Sequence, residues 1–465
     1  MIGSFFIAVA LLGASPAQDV AAALSLLRLV PAEAQQQTRF LALDHLPPIQ
    51  RHETALAVTH LANAVSRNRL VFKPTATNLQ LSYLRIDLAA LSDPKNPASF
   101  AEVVAAWETL TTTDPRFHIR TNVATTAGVQ VATVDGGWVD LAAAAELRKL
   151  TGSQGAILAA DYWLSRVATT PDYYQWAGLP ATEGELFKSL GLDVATVNVL
   201  AADSAANVLI RKLTGRSARI IARPTPLGWL WQTKDSAENT NSPERSPFRA
   251  PVDATVGALQ QKLVYDASEM FFHRPNQYWG VYITDGQGKR VDAAAASVAV
   301  DYHAPTGRQE LRPLISCYRC HGREGTGGLQ DFTDHQSKLA VREATSPEIS
   351  QRVAELYADQ ERVKLALERS RQDFERAVKA ATGVDGKAAT EALSLSFSRY
   401  VYDPVTVETA ADECGCTVQR FIDATAGSSD PIIQTLRVDE GAVNRRDFEA
   451  SFHECIQLVE AWKEC

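Results

Sequence analysis

The sequence has no uninterrupted apolar run of roughly 18 residues, the length that a membrane-spanning helix needs. It also lacks an excess of basic residues: 54 acidic residues against 46 Lys and Arg give a net charge of −8. A nucleic-acid-binding chain normally carries a basic surface. We therefore expect neither a transmembrane helix in the mature chain nor nucleic acid as a partner.

Methionine and cysteine are both scarce in this chain. There are two methionines, Met1 and Met270, and six cysteines among 465 residues. The rest of the composition, 46% hydrophobic and 22% charged, is typical of a globular protein with two or three domains. Because the six cysteines are few, their positions are informative.

The most specific motif is C-x-x-C-H, spelled Cys317-Tyr318-Arg319-Cys320-His321. It is the attachment signature of c-type haem, in which two thiols form thioethers with one porphyrin. The adjacent imidazole then binds the iron as the proximal axial ligand. The motif occurs once, so we expect one covalent haem c.

Two other chemistries fit the same cysteines. Cys317 and Cys320 could bind zinc, but structural zinc usually needs a second close pair, and here that pair is Cys414-Gly415-Cys416, almost a hundred residues away. The second alternative is a redox dithiol or a pair of purely structural cysteines.

The distal iron ligand decides what a haem would do. Small electron-transfer cytochromes often use a methionine after the motif, but Met270 precedes it and is as well explained by core packing. His335, 14 residues after His321, is the main candidate distal ligand; His303 and His273 are further ones. A histidine would favour electron transfer, whereas an open site would bind peroxide or another small ligand.

The N-terminus predicts export. An apolar run from Phe5 to Leu12 is followed by Ser15-Pro16-Ala17, which suits a signal peptidase, although no basic residue precedes the run. We expect residues 1–17 to be a signal peptide and the mature protein to be periplasmic or secreted.

The four cysteines outside the motif all lie in the last 52 residues. An even set confined to one segment of an exported protein predicts two disulfides. Cys414 and Cys416 are too close in sequence to pair with each other without strain. Each is therefore expected to bridge to Cys455 or Cys465, and the sequence does not choose between them.

The expected fold class is mixed α+β and helix-rich, with an N-terminal α/β region before a mostly α-helical c-type cytochrome domain. A helix-rich region of unknown role is expected at 18–234, a linker or exposed loop at 235–251 and a β-hairpin region at 252–304. The haem c domain would span 305–400 and a disulfide-stapled helical region 401–465. A long helix is predicted from Ser346 to Gly383, with Val363, Leu367, Phe374 and Val378 on its buried face.

Several short phrases, spread from about residue 40 towards the C-terminus, carry a resemblance. They are Ser66-Arg67-Asn68-Arg69, Tyr83-Leu84-Arg85-Ile86-Asp87-Leu88, Ala106-Trp107-Glu108, Asp114-Pro115-Arg116-Phe117-His118, Pro171-Asp172-Tyr173-Tyr174 with Leu179-Pro180, Gly280-Val281-Tyr282 with Asp285-Gly286-Gln287-Gly288-Lys289-Arg290-Val291-Asp292, and Ser316-Cys317-Tyr318-Arg319-Cys320-His321-Gly322. With these phrases taken together, the chain resembles large exported bacterial proteins described as cytochrome c domain-containing. The resemblance implies haem attachment at Cys317, Cys320 and His321 and no substrate, and the C-terminal cysteines are not part of its pattern.

The sequence thus predicts an exported mono-haem cytochrome that exchanges single electrons with a redox partner protein, rather than a catalyst. The first alternative is a haem enzyme or a sensor of small ligands with an open distal site. The second is a zinc-stabilised interaction module without a redox role.

Overall fold

The chain combines helices and strands, which confirms the mixed α and β class. The computed structural model describes residues 15–117, 120–126, 129–135, 141–192, 200–204, 217–236, 263–296, 300–301, 304–305, 307–321, 332–333, 346–348, 351, 355 and 360–462. The helices are α1 Pro16–Leu27, α2 Ala32–Gln35, α3 Pro48–Val65, α4 Leu88–Leu91, α5 Pro97–Thr111, α6 Leu141–Thr151, α7 Ala160–Val167, α8 Asp172–Ala177, α9 Glu183–Ser189, α10 Ile315–His321, α11 Gln360–Thr382, α12 Gly386–Val401, α13 Val407–Glu413, α14 Val418–Ala424, α15 Pro431–Leu436 and α16 Arg445–Ala461. The strands are β1 Thr38–Ala42, β2 Thr75–Ala76, β3 Tyr83–Asp87, β4 Arg120–Thr126, β5 Val129–Asp135, β6 Ile157–Ala159, β7 Leu200–Ser204, β8 Ser217–Thr225, β9 Gly228–Ser236, β10 Ala267–His273, β11 Trp279–Asp285, β12 Phe332–Thr333, β13 Val405–Thr406 and β14 Ala442–Val443.

A four-stranded sheet in the order β2-β3-β1-β6 forms the centre of the N-terminal part. Strand β1 is antiparallel to β3 and parallel to β6, and all five of its residues are buried. Helices α1 and α7 contact β1, and α5 contacts β6. A strand buried on both faces is expected when helices cover a sheet.

A second, six-stranded antiparallel sheet runs in the order β11-β10-β9-β8-β7-β12. Strands β8 and β9 form a hairpin, and β9 also pairs with β10. Gly228 opens β9 with φ of 146°, and a Cβ there would lie 2.5 Å from the His273 ring. Only glycine allows this close approach between the hairpin and β10.

The six-stranded sheet joins segments that the expected boundaries assigned to different regions. Strands β7 to β9 precede residue 237, β10 and β11 belong to the expected hairpin region, and β12 belongs to the expected haem domain. Asp235 and Ser236 complete β9 and therefore are strand residues, not linker. Residues 237–250, the rest of the expected linker, lie outside the described ranges.

Two tyrosines of α8 bind the outer strand of this sheet. The Tyr173 hydroxyl donates to the Val281 carbonyl at 2.9 Å and accepts from the Val281 amide at 2.8 Å. The Tyr174 hydroxyl donates to the Val291 carbonyl at 2.9 Å and accepts from the Ile283 amide at 3.3 Å. These hydroxyls thereby bind backbone N–H and C=O groups that a neighbouring strand would otherwise bind.

Helix α3 packs against the six-stranded sheet and several helices. It contacts α7, α11, α12 and β11. Its C-terminal carbonyls are bound by the turn between β10 and β11: the buried Arg274 donates to Val65 and Ser66, and Asn276 donates to Asn63 at 3.0 Å. Arg274 also donates to the last residue of α8, Ala177, at 2.9 Å, so one arginine satisfies two helix ends.

Helix α11 confirms much of the predicted long helix. Val363, Leu367, Phe374 and Val378 are all buried, as their spacing predicts. Gly383 follows the helix with φ of 82°, a conformation that ends helices and favours glycine. The continuous described helix begins at Gln360. Pro347, Glu348, Gln351 and Glu355 are also helical, and the residues between them lie outside the described ranges, so the predicted start at Ser346 stays a prediction.

The C-terminal part, α13 to α16, is helical as expected, and no disulfide is present among the described residues. Cys414, Cys416 and Cys455 are buried free thiols. The expected bridges from Cys414 and Cys416 to Cys455 are therefore absent from this structure, and Cys465 lies beyond the last described residue, 462. Across the described ranges, no helix has both the length and the apolar character that spanning a membrane requires.

Candidate functional site

The C-x-x-C-H motif is the last part of helix α10. Cys317, Cys320 and His321 are at positions i, i+3 and i+4, which lie on one face of an α-helix. The helix is entered through Leu314, a buried non-glycine residue with φ of 71°, which costs on the order of 1 kcal/mol. One helical turn therefore presents two thiols and an imidazole on the same side.

The two residues between the cysteines attach this helix to the rest of the fold. The Tyr318 hydroxyl donates to the Trp279 carbonyl of β11 at 2.8 Å. The Arg319 guanidinium donates to Asp301 at 3.2 Å, and to Ser394 and Ser398 of α12 at 3.0 and 2.9 Å. Tyr318 and Arg319 lie on other sides of the helix than the face that carries the two thiols and the imidazole, so their hydrogen bonds do not occupy that face.

Strand β10 lies next to the motif. Its side chains alternate, so Glu269, Phe271 and His273 share one face of the sheet. The Phe271 and His321 rings meet edge to face with centroids 4.7 Å apart. The carboxyl of Glu269 lies next to the Cys317 thiol. The motif thus packs on an aromatic surface with one carboxyl group at its edge.

Burial determines the charge of the groups in the motif. It raises the pKa of the Cys317 thiol, and it raises the pKa of Cys320 to about 12, with the nearby Glu269 carboxyl adding to the effect. Burial also lowers the pKa of His321 to about 4, which keeps the imidazole neutral, the form that binds a metal. Redox-active dithiols instead need a lowered thiol pKa, so the surroundings disfavour that alternative.

The donor set fits haem c better than zinc. Attachment of haem needs two thiols three positions apart and a neutral imidazole beside the second, all facing one side. Cys317, Cys320 and His321 meet these conditions. Over the described ranges, no three or more His, Cys, Asp or Glu side chains form a group that could hold a metal ion.

The candidate distal ligands fall in three different situations. Met270 is fully buried on β10, and strand alternation puts it on the sheet face opposite to Phe271, away from His321. His273 is on the same face as Phe271, is 1% exposed, and stacks on Trp279 with centroids 4.5 Å apart. His335 and His303 lie outside the described residues.

Sequence reasoning missed a buried histidine behind the motif. His60 of α3 is fully buried against Tyr278, Tyr318 and Phe374, with ring centroids 5.5, 5.4 and 6.4 Å away. Neither ring nitrogen has a hydrogen-bond partner in the described structure, and burial lowers the pKa of His60 to about 3. The sequence feature that could have indicated the burial of His60 is its position in the apolar part of α3, after Val58.

Comparison with known proteins adds no relative to this picture. No protein-family model, no curated protein and no solved structure matches the chain.

Proposed function

We propose that this chain is an exported mono-haem c-type cytochrome that transfers single electrons to or from a redox partner protein. Cys317 and Cys320 would attach the haem through thioethers, and His321 would be the proximal iron ligand. The observation that carries the proposal is the arrangement of α10, with its two thiols and a neutral imidazole on one helix face.

Each residue of the motif has a distinct part in this proposal. When bound, the haem iron supplies one-electron redox chemistry. The anchors made by Tyr318 and Arg319 fix the direction of the helix, and hence of the His321 imidazole. Phe271 restricts rotation of that imidazole through the ring contact at 4.7 Å and keeps water away from it.

Export is part of the same proposal, because haem c is attached outside the cytoplasm. The first described residue, Ser15, caps helix α1, whose first turn contains the expected cleavage position after Ala17. Cleavage there would remove the cap but keep Asp19, which is fully buried and forms an ion pair with Arg116 at 2.7 Å. The mature chain would therefore retain the main polar anchor of α1.

The test is expression of the full chain together with a cytochrome c maturation system. We expect a covalent pyridine haemochrome spectrum that is lost in Cys317→Ser/Cys320→Ser. The matched control is Cys416→Ser, which removes a buried cysteine outside the motif and should keep the spectrum. A matured wild-type chain without covalent haem would contradict the proposal.

The spectrum also separates electron transfer from an open-site haem enzyme or sensor. A low-spin ferric spectrum and no carbon monoxide binding in the reduced protein are expected for a six-coordinate electron carrier. His273→Leu and a substitution of His335 then identify the distal ligand, because only the ligand's removal converts the spectrum to high spin. A high-spin wild-type protein that binds carbon monoxide would favour the enzyme or sensor.

A further inference from the structure

The carboxyl group of Glu269 lies beside both cysteines of the C-x-x-C-H motif. It is next to the Cys317 thiol, and its charge also acts on the Cys320 thiol, where it adds to the rise in pKa that burial causes. Since haem c is bonded to its protein through two such sulfurs, a group beside them is a neighbour of the porphyrin edge. Glu269 is the one acidic side chain of β10, and it is therefore placed to act on the haem.

Strand β10 and helix α10 have matching spacings. Glu269 and Phe271 are two positions apart on a strand, about 6.6 Å, and Cys317 and His321 are four positions apart on a helix, about 6 Å. The Phe271 and His321 rings are in contact, with centroids 4.7 Å apart. Glu269 precedes Phe271 on the same strand face, just as Cys317 precedes His321 on the same helix face. The ring contact and the position of the carboxyl thus support each other.

The position of Glu269 is fixed by the middle of a sheet and not by a loop. Strand β10 pairs with β11 on one side and with β9 on the other. The Glu269 amide donates to the Thr233 hydroxyl of β9 at 3.0 Å, and Glu269 lies opposite Ile283 of β11. Sites built on paired strands hold their side chains more precisely than sites on loops do. The carboxyl therefore keeps its place relative to the motif.

No positive charge among the described residues compensates this carboxyl. Glu269 forms no ion pair with any of them, and its Oε1 is buried without a hydrogen-bond partner there. Arg319 of α10 is paired with Asp301 at 3.2 Å, and Lys234 of β9 is paired with Glu183 at 3.2 Å. The cations of the two neighbouring elements are therefore bound to other carboxylates.

The charges that act on the two thiols sum to a negative value in the described part of the chain. They are those of Glu269, Asp301 and Arg319, of which the last two form an ion pair. Burial raises the pKa of Glu269 to about 7, and the nearby Asp235 of β9 adds to this effect. The carboxylate of Glu269 is thus the uncompensated charge beside the motif.

Such a charge has a defined effect on a haem. A buried carboxylate without a cation costs free energy, so its presence beside a cofactor site indicates a function. Ferric haem carries one more positive charge than ferrous haem. A nearby carboxylate therefore stabilises the ferric form, and more strongly where burial lowers the local dielectric constant. Hydrogen bonds, burial and charge around a haem are the means by which a protein sets its reduction potential.

We propose that Glu269 holds the reduction potential of the haem on this chain low through its negative charge beside Cys317. The inference rests on the proposed function, because it needs a covalently attached haem. Glu269 is neither an attachment residue nor an iron ligand here, and it acts on the iron through its electric field. A low potential favours electron donation by the reduced protein to its partner.

The experiment is a spectroelectrochemical titration of the matured full chain at pH 8, where a carboxyl with a pKa of about 7 is ionised. Glu269→Gln removes the charge and keeps nearly the same shape. We expect its reduction equilibrium to shift about tenfold towards the ferrous form, which is about 59 mV for one electron. Glu269→Asp keeps the charge and should stay closer to the wild-type potential. Where Glu269→Gln yields no holoprotein, Glu269→Met removes the same charge and is titrated instead.

Glu310→Gln is the matched control. The Glu310 side chain is 52% exposed and paired with Arg312, so solvent screens its charge and the shift should be less than about twofold. With covalent haem present, three results would each overturn the inference: an unchanged potential in Glu269→Gln, an equal shift in Glu269→Asp, or an equal shift in Glu310→Gln. Absence of covalent haem from the wild type would overturn the proposed function, and this inference with it.

Discussion

Arg319 and Asp301 form an ion pair in which each side chain is only 1% exposed. Arg319 stands between the two motif cysteines and also donates to two serines of α12. Removing one partner of a buried pair leaves the other charge without compensation, which costs about 3–5 kcal/mol. Stability and the orientation of the motif therefore depend on the same residue.

We expect Arg319→Met to lower the free energy of unfolding by about 3–5 kcal/mol in urea titrations. The double variant Arg319→Met/Asp301→Asn should recover part of this loss, because no uncompensated buried charge remains. Arg312→Met is the control: its ion pair with Glu310 is about half exposed on both sides, and its loss should cost less than about 1 kcal/mol. Equal losses in Arg319→Met and Arg312→Met would contradict the argument.

His60 makes the free energy of unfolding depend on pH. Burial lowers the pKa of His60 from its ordinary 6.5 to about 3, so below pH 6.5 the unfolded chain binds a proton that the folded chain does not. Stability from this residue is fully present above pH 6.5 and is lost as pH falls towards 3. The slope should be about 1.4 kcal/mol for each pH unit.

His60→Leu should lower the slope of unfolding free energy against pH by about 1.4 kcal/mol for each pH unit between about 6 and 4, and the slope due to other buried histidines such as His321 should remain. Leucine also replaces two buried ring nitrogens without partners by an apolar group of similar size, so no large loss of stability is expected at pH 7. His52→Gln, at an exposed position of the same helix, is the control and should keep the wild-type slope. A wild-type slope in His60→Leu would show that another group dominates.

The sequence predicted some residues of the candidate site and not others. The buried face of α11, including Phe374, followed from helical spacing, and the motif residues from their chemistry. Glu269, Phe271 and His60 did not, because their roles depend on which strand and helix pack against α10. Such contacts join positions about 50 to 260 residues apart, and no local pattern specifies them.

Helices were better predicted than strand partners. Thr182 and Glu185 have the spacing of a capping box, which predicts a helix start, and they form that box at the start of α9, because capping is a local interaction. Gly286-Gln287-Gly288 is typical of a hairpin turn and predicts a return strand at Lys289–Val291. That segment makes isolated bridges from Lys289 to Thr182 and from Arg290 to Thr284, and the long antiparallel partner of β11 is β10. Strand pairing depends on tertiary context and is therefore less visible in the sequence.

Helices α13 and α16 bring two buried thiols near each other. Burial raises the pKa of the Cys414 thiol well above its usual range, and the nearby Cys455 and Cys416 thiols add to this effect. In an oxidising compartment we therefore expect a disulfide between Cys414 and Cys455, detectable as a linked peptide by mass spectrometry of the unreduced protein. A linked peptide that joins Cys416 to Cys455 would contradict this pairing.

The stability of the serine variants at Cys455 and Cys416 gives a second measure of this disulfide. Cys455→Ser should lower the unfolding free energy of the oxidised protein by about 2–4 kcal/mol more than that of the reduced protein. In Cys416→Ser the linked peptide should persist. The comparison of oxidised and reduced protein separates loss of the bond from the cost of placing a hydroxyl in a buried position.

At the scale of the whole molecule, the motif helix is fixed by parts of the chain far outside the expected haem domain of 305–400. Ile315 donates from its backbone amide to the Ala168 carbonyl, and Tyr318 donates to Trp279. Strand β10, which contacts the motif, pairs with β9. The segment 305–400 is therefore not an independent unit.

We expect the fragment 305–400 to be unfolded when it is expressed alone, because it lacks β9 to β11 and α3. Circular dichroism and the dispersion of its amide signals in NMR spectra measure this. The full chain under the same conditions is the control and should show native helix content. A cooperatively folded fragment would show that the long-range contacts are dispensable.

The hydroxyls of Tyr173 and Tyr174 have a further consequence for the behaviour of the protein in solution. An outer strand with free backbone groups can recruit a strand from another molecule and start aggregation. On β11 the amide and carbonyl of Val281 and the amide of Ile283 are already bound by these tyrosines. The phrase Pro171-Asp172-Tyr173-Tyr174 therefore protects the chain against edge-to-edge association at this strand, a role separate from any chemistry at the motif.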